Sequence, residues 1–336
     1  MTGAEKMSGA EVLAAPPAAA NQGCILCGST ESRVRFSTTD RLYRTTRKTF
    51  DIVECLRCGL LRLAPQPTAA EFDQYYPANY WFDPSESAAG RLEETYRRLV
   101  LRDHVRFVVR ALQRNRQAGP VLDIGCGGGL FPGVLRERGF RALGLDVSAE
   151  AARLAAKLHG VPVIAGELTH SPVAAGSCAA VTMFHVLEHV PNPQHYLAEA
   201  GALLRAGGRL ILQVPNGACW LFAVLGRRWN GVDAPRHLHL FRPADLEKLL
   251  ESAGFQVVRR KYFSLRDNPA GLATSLAPSL DPMARRIRGT RESGVKRVMK
   301  DLLYLSLVVA ALPFTLLEAW AAAGSTVMIE ARKRAS

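Results

Sequence analysis

The second half of the chain alternates between short apolar runs and longer amphipathic stretches. The runs begin near residues 121, 142, 181 and 209, and each is followed by a segment in which apolar residues recur at helical spacing. Short continuous apolar runs are typical of buried parallel strands, and helices between them cover both faces of such a sheet. The pattern therefore predicts a doubly wound α/β fold.

Two further strands are predicted nearer the C-terminus, over residues 255–263 and 324–331. Between the strands that begin near residues 209 and 255, residues 243–250 predict a helix with Pro243 near its start, where proline is tolerated. This assignment leaves residues 266–323 as an insertion before the last strand.

Residues 83–118 precede the first strand of the sheet and predict a helical linker. Residues 90–118 have the pattern of one amphipathic helix, which Gly119 and Pro120 end. Its apolar stripe consists of Leu92, Tyr96, Leu99, Val100, Phe107, Val108 and Leu112. We expect the arginines of this helix to lie on its solvated face.

A glycine-rich turn directly follows the strand that starts at residue 121. Asp123 lies at the end of the strand, and the turn contains Gly125, Cys126, Gly127 and Gly129. Glycines allow a positive φ and let a ligand approach the main chain closely. Because open α/β sheets bind ligands beyond the carboxyl ends of their strands, the turn is a candidate binding site.

The acidic residues near this turn indicate which ligand it binds. A carboxylate at Asp123 would repel a pyrophosphate but suits a cationic amino group. Leu130 stands where the third glycine of the dinucleotide signature G-x-G-x-x-G should be. Asp146 closes the next apolar run, at a position where a carboxylate holds ribose hydroxyls. A sulfonium ligand with an adenosine head therefore fits better than NAD.

These residues resemble the class I S-adenosylmethionine-dependent methyltransferases over most of residues 119–336. Five motifs match in family order: Asp123-x-Gly125-x-Gly127-x-Gly129, Asp146, Glu167-Leu168, residues 181–190 at the fourth strand and its active-site end, and residues 204–211 at the turn into the fifth strand. The resemblance implies a seven-stranded Rossmann-like sheet, with the last strand antiparallel beside the sixth, and S-adenosylmethionine as methyl donor.

The resemblance also implies a set of donor-binding residues. They are Asp123, Gly125, Cys126, Gly127, Gly129, Asp146, Val147, Glu167, Leu168 and Phe184. Two positions depart from the family pattern. The acid beside the adenine is more often aspartate than glutamate, and the fourth strand usually opens with aspartate, where this chain has 178–180 Cys-Ala-Ala.

Three histidines are candidates for the general base that a hydroxyl acceptor needs, because histidine titrates nearest neutral pH. His185 follows the fourth strand, at the position that faces the transferred methyl group in the resembled family. His237 and His239 alternate within residues 233–241, which predicts both imidazoles on one side of an extended segment. For these two, core or capping roles are the alternative.

The pair Glu188-His189 resembles a Glu-His pair of the polyprenyl-quinone O-methyltransferases, in which the histidine is expected to hold the loop. Glu188 and the neighbouring histidines could also gather around a divalent metal. In the quinone enzymes an acidic residue precedes this pair, and here that position is His185. This difference argues against a metal at the active site.

Four cysteines near the N-terminus form two CxxC-Gly knuckles, Cys24/Cys27 and Cys55/Cys58. Two such knuckles complete a tetrahedral site of four thiolates, which is typical of structural zinc. We expect a zinc-knuckle module over residues 24–82 that ends in an aromatic linker, residues 75–82. Similar modules precede the methyltransferase domain in bacterial sugar- and envelope-modifying enzymes. The linker tyrosines are expected to pack the module onto the catalytic domain, with substrate stacking as the alternative.

Composition limits the setting in which this chain works. Seven cysteines, four of them in CxxC pairs, indicate metal ligation in a reducing compartment, and we expect a cytoplasmic protein. No signal peptide is evident, and the Ala/Pro/Gly-biased residues 1–23 predict a disordered tail. The formal charge of +13 indicates an anionic partner, such as a membrane surface, a phosphorylated substrate or a nucleic acid.

The insertion 266–323 combines a basic cluster with a long apolar stretch. The basic residues are Arg285, Arg286, Arg288, Arg291, Lys296, Arg297 and Lys300. Residues 302–323 could cross a bilayer by length, but the last strand must return to the sheet on the side it left. We therefore expect residues 285–323 to contact an anionic membrane from one side, through a helix kinked at Pro313, with basic residues against the headgroups. Burial against the domain or against a second copy in a homo-oligomer is the alternative.

Three functions remain open from the sequence. The first is O-methylation of a small-molecule, sugar or lipid-linked acceptor, which the apolar insertion favours; C-methylation of a sugar nucleotide is a variant of it. The second is RNA methylation, which the positive charge favours. No Asn/Asp-Pro-Pro-aromatic motif follows the fourth strand, so no nucleic-acid partner is expected. The third is a binding protein without activity, for which the donor-site residues are too complete.

Overall fold

A computed structural model describes residues 23–77, 88–115 and 118–334. The tail predicted over residues 1–23 lies outside these residues except for Gly23. The part of the aromatic linker from residue 78 to residue 82 also lies outside them.

A seven-stranded sheet forms the centre of the chain, as predicted, with the strand order β10-β11-β8-β7-β4-β5-β6. Its strands are β4 (Val121–Ile124), β5 (Ala142–Asp146), β6 (Val163–Ala165), β7 (Cys178–Phe184), β8 (Leu204–Pro215), β10 (Phe255–Lys261) and β11 (Thr326–Lys333). Apolar side chains of β4, β7 and β8 are almost completely buried, because helices cover both faces of the sheet. The order reverses between β4 and β7, which is where such sheets bind ligands.

The last strand lies between β8 and β10 and is antiparallel to both, as the resemblance implies. Its first residue, Thr326, pairs with Pro215 at the carboxyl end of β8. The carboxyl end of β10 lies at the same edge, because Lys261 pairs with Met328. Both ends of the insertion therefore meet the sheet at its carboxyl edge.

The helices of the described residues are α1 (Ala69–Phe72), α2 (Ala88–Val100), α3 (Arg102–Asn115), α4 (Leu130–Glu137), α5 (Ala149–His159), α6 (Pro193–Leu203), α7 (Trp220–Leu225), α8 (Pro243–Ser252), α9 (Asn268–Leu276), α10 (Pro282–Ile287) and α11 (Gly294–Trp320). The helix predicted over residues 243–250 is confirmed as α8. Short helices and turns connect these elements to the strands between them.

The single helix predicted over residues 90–118 is wrong, because α2 ends at Val100 and α3 begins at Arg102. Val108 and Leu112 of α3 are buried in the sheet's core cluster. Leu92 and Leu99 of α2 are 72% and 46% exposed, so the predicted apolar stripe is buried only in its second half. A change of axis between two helices leaves the helical spacing of a sequence almost unchanged, so the pattern could not reveal it.

A second, four-stranded sheet contains the cysteine knuckles, with the order β1-β2-β3-β9. Its strands are β1 (Ser32–Thr39), β2 (Thr49–Cys55), β3 (Leu61–Ala64) and β9 (His239–Leu240). β9 follows β8 in the chain, but it pairs with Leu61 and Arg62 of β3. The sequence did not predict this pairing. The extended segment predicted over residues 233–241 is wrong, because residues 234–236 form a turn and only β9 is extended.

A buried ion-pair network connects the loop after β1 to the segment that precedes β9. The Arg236 guanidinium, which is fully buried, donates to Asp40 Oδ1 at 2.8 Å and to Asp233 Oδ1 at 2.7 Å, and it covers the Tyr43 ring at 4.4 Å. Asp40 comes from the loop after β1, whereas Arg236 and Asp233 precede β9. Although burial alone would raise the pKa of Asp40, Arg236 lowers it. Two carboxylates, one after β1 and one before β9, thus pair with one buried cation.

The insertion forms α9, α10 and α11, and α9 packs along α11. Pro313 lies inside α11. Three of the predicted headgroup-binding residues are used internally: Arg285 pairs with Glu292 and Asp301, Lys300 pairs with Glu292, and Arg288 donates to main-chain oxygens of Arg41 and Leu42. These three side chains therefore have partners within the chain, and contact of the basic cluster with headgroups stays a prediction.

The buried network gives the first testable prediction. Replacing Arg236→Ala leaves Asp40 and Asp233 buried without their cation, which should lower the free energy of unfolding by about 3–5 kcal/mol. Arg33→Ala, which breaks an ion pair between the exposed Arg33 and Glu54, should cost roughly 0–1 kcal/mol. Denaturant unfolding of both variants measures the difference. Equal losses would contradict a stabilising role for the network.

Candidate active site

The predicted donor loop leaves the carboxyl end of β4 at the point where the strand order reverses. Gly125, Gly127 and Gly129 all have positive φ, at 69°, 52° and 75°. A Cβ at Gly125 would lie 2.5 Å from Val186 Cγ2, and one at Gly129 would lie 2.5 Å from Ala155 Cβ. The loop therefore follows the neighbouring elements closely, and its main chain forms a cradle that side chains would fill.

Asp123 lies under this cradle and is almost completely buried. Its Oδ1 accepts a hydrogen bond of 2.5 Å from Thr182 Oγ1 on β7. Burial raises the pKa of Asp123 to about 7, the hydrogen bond opposes this shift, and the charge of Asp146 adds to it. A buried carboxylate that resists ionisation is a favourable neighbour for a cationic ligand.

The other acid, Asp146, ends β5 on the far side of the loop. Its two oxygens accept main-chain hydrogen bonds of 2.9 Å, Oδ2 from Gly127 N and Oδ1 from Ser148 N. Ser148 also caps the N-terminus of α5. These bonds fix the carboxylate at the carboxyl edge of the sheet, where ribose hydroxyls bind in this fold.

The remaining predicted donor-site residues surround the same edge. Cys126 lies in the loop, and its Sγ would lie 2.4 Å from a Cβ at Gly144. Val147, directly after Asp146, is 61% exposed, whereas Leu168 is buried and Glu167 is intermediate in burial. Phe184 ends β7, and its ring makes edge contacts with the rings of His104 and Phe131.

His185 follows β7 and has an unusual backbone conformation, with φ of 58°. Its main-chain N–H donates to Gln213 O at 2.8 Å, and this bond holds His185 against the neighbouring strand β8. The side chain, about a quarter exposed, lies between two carboxylates: Nδ1 is 3.2 Å from Glu188 Oε1, and Nε2 is 3.4 Å from Asp267 Oδ2. Burial alone would lower the pKa of His185, but Asp267 and Glu188 outweigh it and raise the pKa to about 9.

Asp267 is a site residue that sequence reasoning missed. It precedes α9 and accepts hydrogen bonds at Oδ2 from Ser264 Oγ at 2.6 Å and from the Gln213 amide at 2.7 Å. The Gln213 amide nitrogen also lies 2.9 Å from His185 Nε2. Although burial would raise the pKa of Asp267, Arg266 and His185 lower it well below its usual range. No motif marks Asp267, because the fold alone brings the start of the insertion to the end of β7.

Glu188, His189 and His237 form a second group beside His185 that could hold a metal ion, with ligand atoms within 4.8 Å of one another. His189 Nδ1 lies 3.0 Å from the Arg236 carbonyl and 2.9 Å from Tyr76 Oη, and His237 Nδ1 lies 2.8 Å from the Gly231 carbonyl. When each Nδ1 donates to its carbonyl, each Nε2 carries a lone pair, which is the arrangement of metal-binding histidines. Burial lowers the pKa of His189 to about 4, so this imidazole is neutral.

The predicted aromatic linker contributes to this group. Tyr75 is 2% exposed, and Tyr76 contacts His189 through its hydroxyl. These two tyrosines therefore pack the linker against the catalytic domain, as expected. Substrate stacking receives no support from either ring.

His239 lies apart from His185 in the contacts that the structure shows. It belongs to β9, is 1% exposed and has its ring 5.5 Å from that of Phe241. Burial lowers the pKa of His239 to about 4, although the main chain of Pro191 and Val190 opposes this shift. Of the three predicted candidates, the structure thus brings His185 and His237 to Glu188, whereas His239 packs in the small sheet.

The four cysteines of the knuckles converge as predicted. Cys24 Sγ lies 3.4 Å from Cys58 Sγ, and Cys27 Sγ lies 3.5 Å from Cys55 Sγ. All four sulfurs lie within 4.8 Å of one another, which is compatible with the edges of about 3.8 Å that a tetrahedral zinc–thiolate site requires. Gly28 and Gly59, with φ of 72° and 76°, make the tight turns after the second cysteine of each knuckle.

Comparisons with known proteins agree with this geometry. Residues 92–260, about half of the chain, match the family described as a methyltransferase domain. The chain therefore belongs to the S-adenosylmethionine-dependent methyltransferases. It is a class I enzyme of this family, and S-adenosylmethionine is its methyl donor.

Among its relatives is the ubiquinone biosynthesis O-methyltransferase of Pseudomonas aeruginosa, which is 33% identical over 174 residues that cover 48% of this chain and 74% of the relative. The enzyme of the same name from Marinobacter nauticus is 30% identical over 187 residues, covering 51% and 77%. A solved S-adenosylmethionine-dependent methyltransferase from Archaeoglobus fulgidus is 17% identical, covers 74% of this chain and all of its own, and has a TM-score of 0.46.

The raised pKa of Asp123 predicts how donor binding depends on pH. A cationic amino group beside Asp123 favours the ionised carboxylate, so binding lowers its pKa and releases a proton near neutral pH. The affinity for S-adenosylhomocysteine, which carries the same amino group, should therefore rise from pH ~6 to pH ~8 and then level off. Calorimetry in buffers of different ionisation enthalpy measures both the affinity and the proton release.

Two variants test whether the pH dependence of the affinity comes from Asp123 or from the loss of any carboxylate. Asp123→Asn should bind about tenfold to a hundredfold more weakly and lose the pH dependence. Glu150→Gln, which removes an exposed carboxylate on α5, should retain it. An affinity in Asp123→Asn equal to that of the unmodified chain would contradict the assigned role.

Proposed function

We propose that this enzyme methylates a hydroxyl group on a lipid-linked, isoprenoid-quinone type acceptor, with His185 as the general base. The observation that carries the proposal is the position of His185 between Glu188 and Asp267 at the carboxyl edge of the sheet, next to the donor loop. The names of the Pseudomonas and Marinobacter relatives support the acceptor class. Neither RNA methylation nor C-methylation of a sugar nucleotide gains support from these relatives.

In this proposal the donor lies across the loop between β4 and β5. Asp123 would hold its amino group, Asp146 and Val147 would hold the ribose, and Glu167 and Leu168 would border the adenine. Gly125, Cys126, Gly127 and Gly129 would let the ligand approach the main chain of the loop, and Phe184 would border it on the side towards His185. S-adenosylmethionine supplies an electrophilic methyl group on a sulfonium, so the protein must align the acceptor oxygen, exclude water and remove a proton.

His185 takes the hydroxyl proton in its neutral form. In that form Nδ1–H donates to Glu188 Oε1, and Nε2 accepts from the Gln213 amide until an acceptor hydroxyl reaches it. After proton transfer, the two carboxylates stabilise the imidazolium. Because the pKa of His185 is raised to about 9, the base is strong, but only a minority of the molecules carry it neutral at pH 7. His237 acts through Glu188, and His239 supports the small sheet.

Zinc, when bound, has a structural role in the knuckle module of residues 24–82. Cys24, Cys27, Cys55 and Cys58 would provide four thiolates, which leaves no open position for catalysis. The module then fixes β3, which pairs with β9. Through β9 and the Arg236 network, it orders the segment that contains His237.

A lipid-linked acceptor implies that the enzyme works on the cytoplasmic side of a membrane, attached peripherally. The net charge of +13 supports attachment to an anionic surface. One helix of the described residues, α11, has the length and composition of a membrane span, but both ends of the insertion that contains it meet the same edge of the sheet. Peripheral attachment accommodates both observations.

The base role predicts a particular pH profile. Turnover of a hydroxylated ring acceptor should rise with pH towards about 9, as His185 loses its proton. Asp267→Asn removes a carboxylate that raises the pKa of His185, so the rising limb should move to lower pH. His185→Ala should lower turnover about a hundredfold to ten-thousandfold while leaving donor affinity close to that of the unmodified chain.

A control tests whether the shift is specific. Asp103→Asn removes a carboxylate that contacts His104 and Lys261 but not His185. Turnover of this variant should therefore rise over the same pH range as in the unmodified chain. Initial rates across the pH range, together with donor binding by calorimetry, provide the comparison. A profile that is unchanged in Asp267→Asn, or turnover retained in His185→Ala, would overturn the assignment of the base.

The zinc site has its own test. Elemental analysis of the purified chain should find about one zinc per molecule. Cys55→Ser should release the metal and lower the thermal midpoint, whereas Cys178→Ser, outside the knuckles, should retain it. A metal-free preparation with an unchanged unfolding midpoint would disprove the structural role.

A further inference from the structure

The longest helix of the chain has its polar and apolar faces reversed relative to an ordinary surface helix. The row of α11 residues that faces inward, at a spacing of three and four, is Tyr304, Val308, Ala311, Thr315 and Glu318. Three of these five side chains are polar. The exposed residues between Leu302 and Trp320 are instead apolar, apart from Ser306, and none of them is charged.

We name this exposed surface the apolar face of α11. It consists of Leu302, Leu303, Leu305, Val309, Phe314, Leu316, Leu317 and Trp320, which are between 37% and 85% exposed. It extends over 19 residues, or about 28 Å of helix. A continuous apolar surface of this size on the outside of a chain marks an interaction site.

The inward polar groups show that the helix is fixed in this orientation. The Tyr304 hydroxyl lies 2.9 Å from Thr274 Oγ1 of α9, and Glu318 Oε1 accepts a 3.0 Å hydrogen bond from Leu221 N at the start of α7. Burial raises the pKa of Glu318. Rotating the helix to bury its leucines would break these bonds, so the apolar face belongs to the folded chain.

Two neighbouring helices extend the apolar face. Val224 of α7 is 78% exposed, and Trp220 is 39% exposed with its ring 6.5 Å from that of Phe314. Leu276, at the end of α9, is 61% exposed. Apolar residues thus project from three helices, and two of them are aromatic tryptophans, which prefer the boundary between lipid tails and headgroups.

Exposed cations flank two of the helices that carry this surface. Arg291, Lys296 and Arg297 are exposed around the N-terminus of α11, and Arg227 and Arg228 are exposed directly after α7. Basic residues next to an apolar helical face are typical of helices that lie in the interface of an anionic membrane. A second copy of a chain with a charge of +13 would bring like charges together, so an anionic surface is the better occupant.

We infer that the apolar face of α11, with Trp220, Val224 and Leu276, docks the enzyme onto an anionic lipid bilayer. The helix lies in the plane of the membrane and inserts only its outer side. The same insertion begins at Asp267, beside His185, so the docked surface and the proposed base are connected through α9. This inference rests on the proposed function for its acceptor, which would be taken from the same bilayer, but docking itself needs neither donor nor acceptor.

Vesicle flotation of the full chain tests the inference without any methylation. The chain should float with vesicles of phosphatidylcholine and phosphatidylglycerol, and less with phosphatidylcholine alone. The triple variant Leu316→Gln, Leu317→Gln, Trp320→Gln should bind about a hundredfold more weakly. The matched control Val34→Gln, Leu56→Gln, Val258→Gln, at three exposed apolar positions elsewhere, should float like the unmodified chain.

A separate variant tests the contribution of the basic residues to membrane binding. Lys296→Gln with Arg297→Gln should weaken binding to the anionic vesicles and leave binding to phosphatidylcholine unchanged. Flotation of the apolar triple variant at the unmodified level would overturn the inference. A dimer by light scattering that the triple variant converts to a monomer, without flotation of the unmodified chain, would assign the face to a second copy instead.

Activity distinguishes this inference from the proposed function. The triple variant should keep its turnover on a short, water-soluble hydroxylated ring and lose turnover on an acceptor embedded in vesicles. Flotation without methylation of either acceptor would refute the proposed function and leave the docking surface in place. Methylation of both acceptors without flotation would refute the docking surface and leave the proposed function in place.

Discussion

The position of β11 between β8 and β10 is the constraint on which the rest of the arrangement depends. Because this strand runs antiparallel to both neighbours, the chain must leave β10 and enter β11 at the carboxyl edge of the sheet. The donor loop and His185 lie at this same edge. An insertion between the two strands is therefore built over the site, and its first helix begins next to the imidazole. The same constraint brings both ends of the insertion back to one edge of the sheet, which argues against α11 as a single crossing of a bilayer.

The sequence predicted the parts of the fold that depend on local pattern. Buried apolar runs gave the central strands, and the carboxylates Asp123 and Asp146, together with the glycines, gave the edge at which the family binds its donor. Two CxxC-Gly knuckles gave a cluster of four sulfurs. In each case a few neighbouring residues carry the information, because strand burial, positive φ and thiolate turns are properties of short segments.

Long-range geometry could not be predicted in the same way. Asp267 stands about 80 residues after His185 in the chain, and an aspartate before a helix is ordinarily a cap. His239 looked equivalent to His237 because alternation was extended over a segment that contains a turn. The buried salt bridge between Asp40 and Arg236 links residues 196 positions apart. Such contacts depend on how the small sheet sits on the large one, which periodicity does not contain.

The left-handed backbone at His185 has a consequence for how this enzyme can change. A residue with a Cβ held at φ of 58° is disfavoured by about 1–2 kcal/mol, which glycine would avoid. Glycine would relax this corner, but it would also leave Glu188 and Asp267 without the imidazole that lies between them, and this loss of stability exceeds the strain that is relieved. Random variation should therefore seldom gain thermal endurance at position 185, because the strained backbone and the two carboxylates depend on the same side chain.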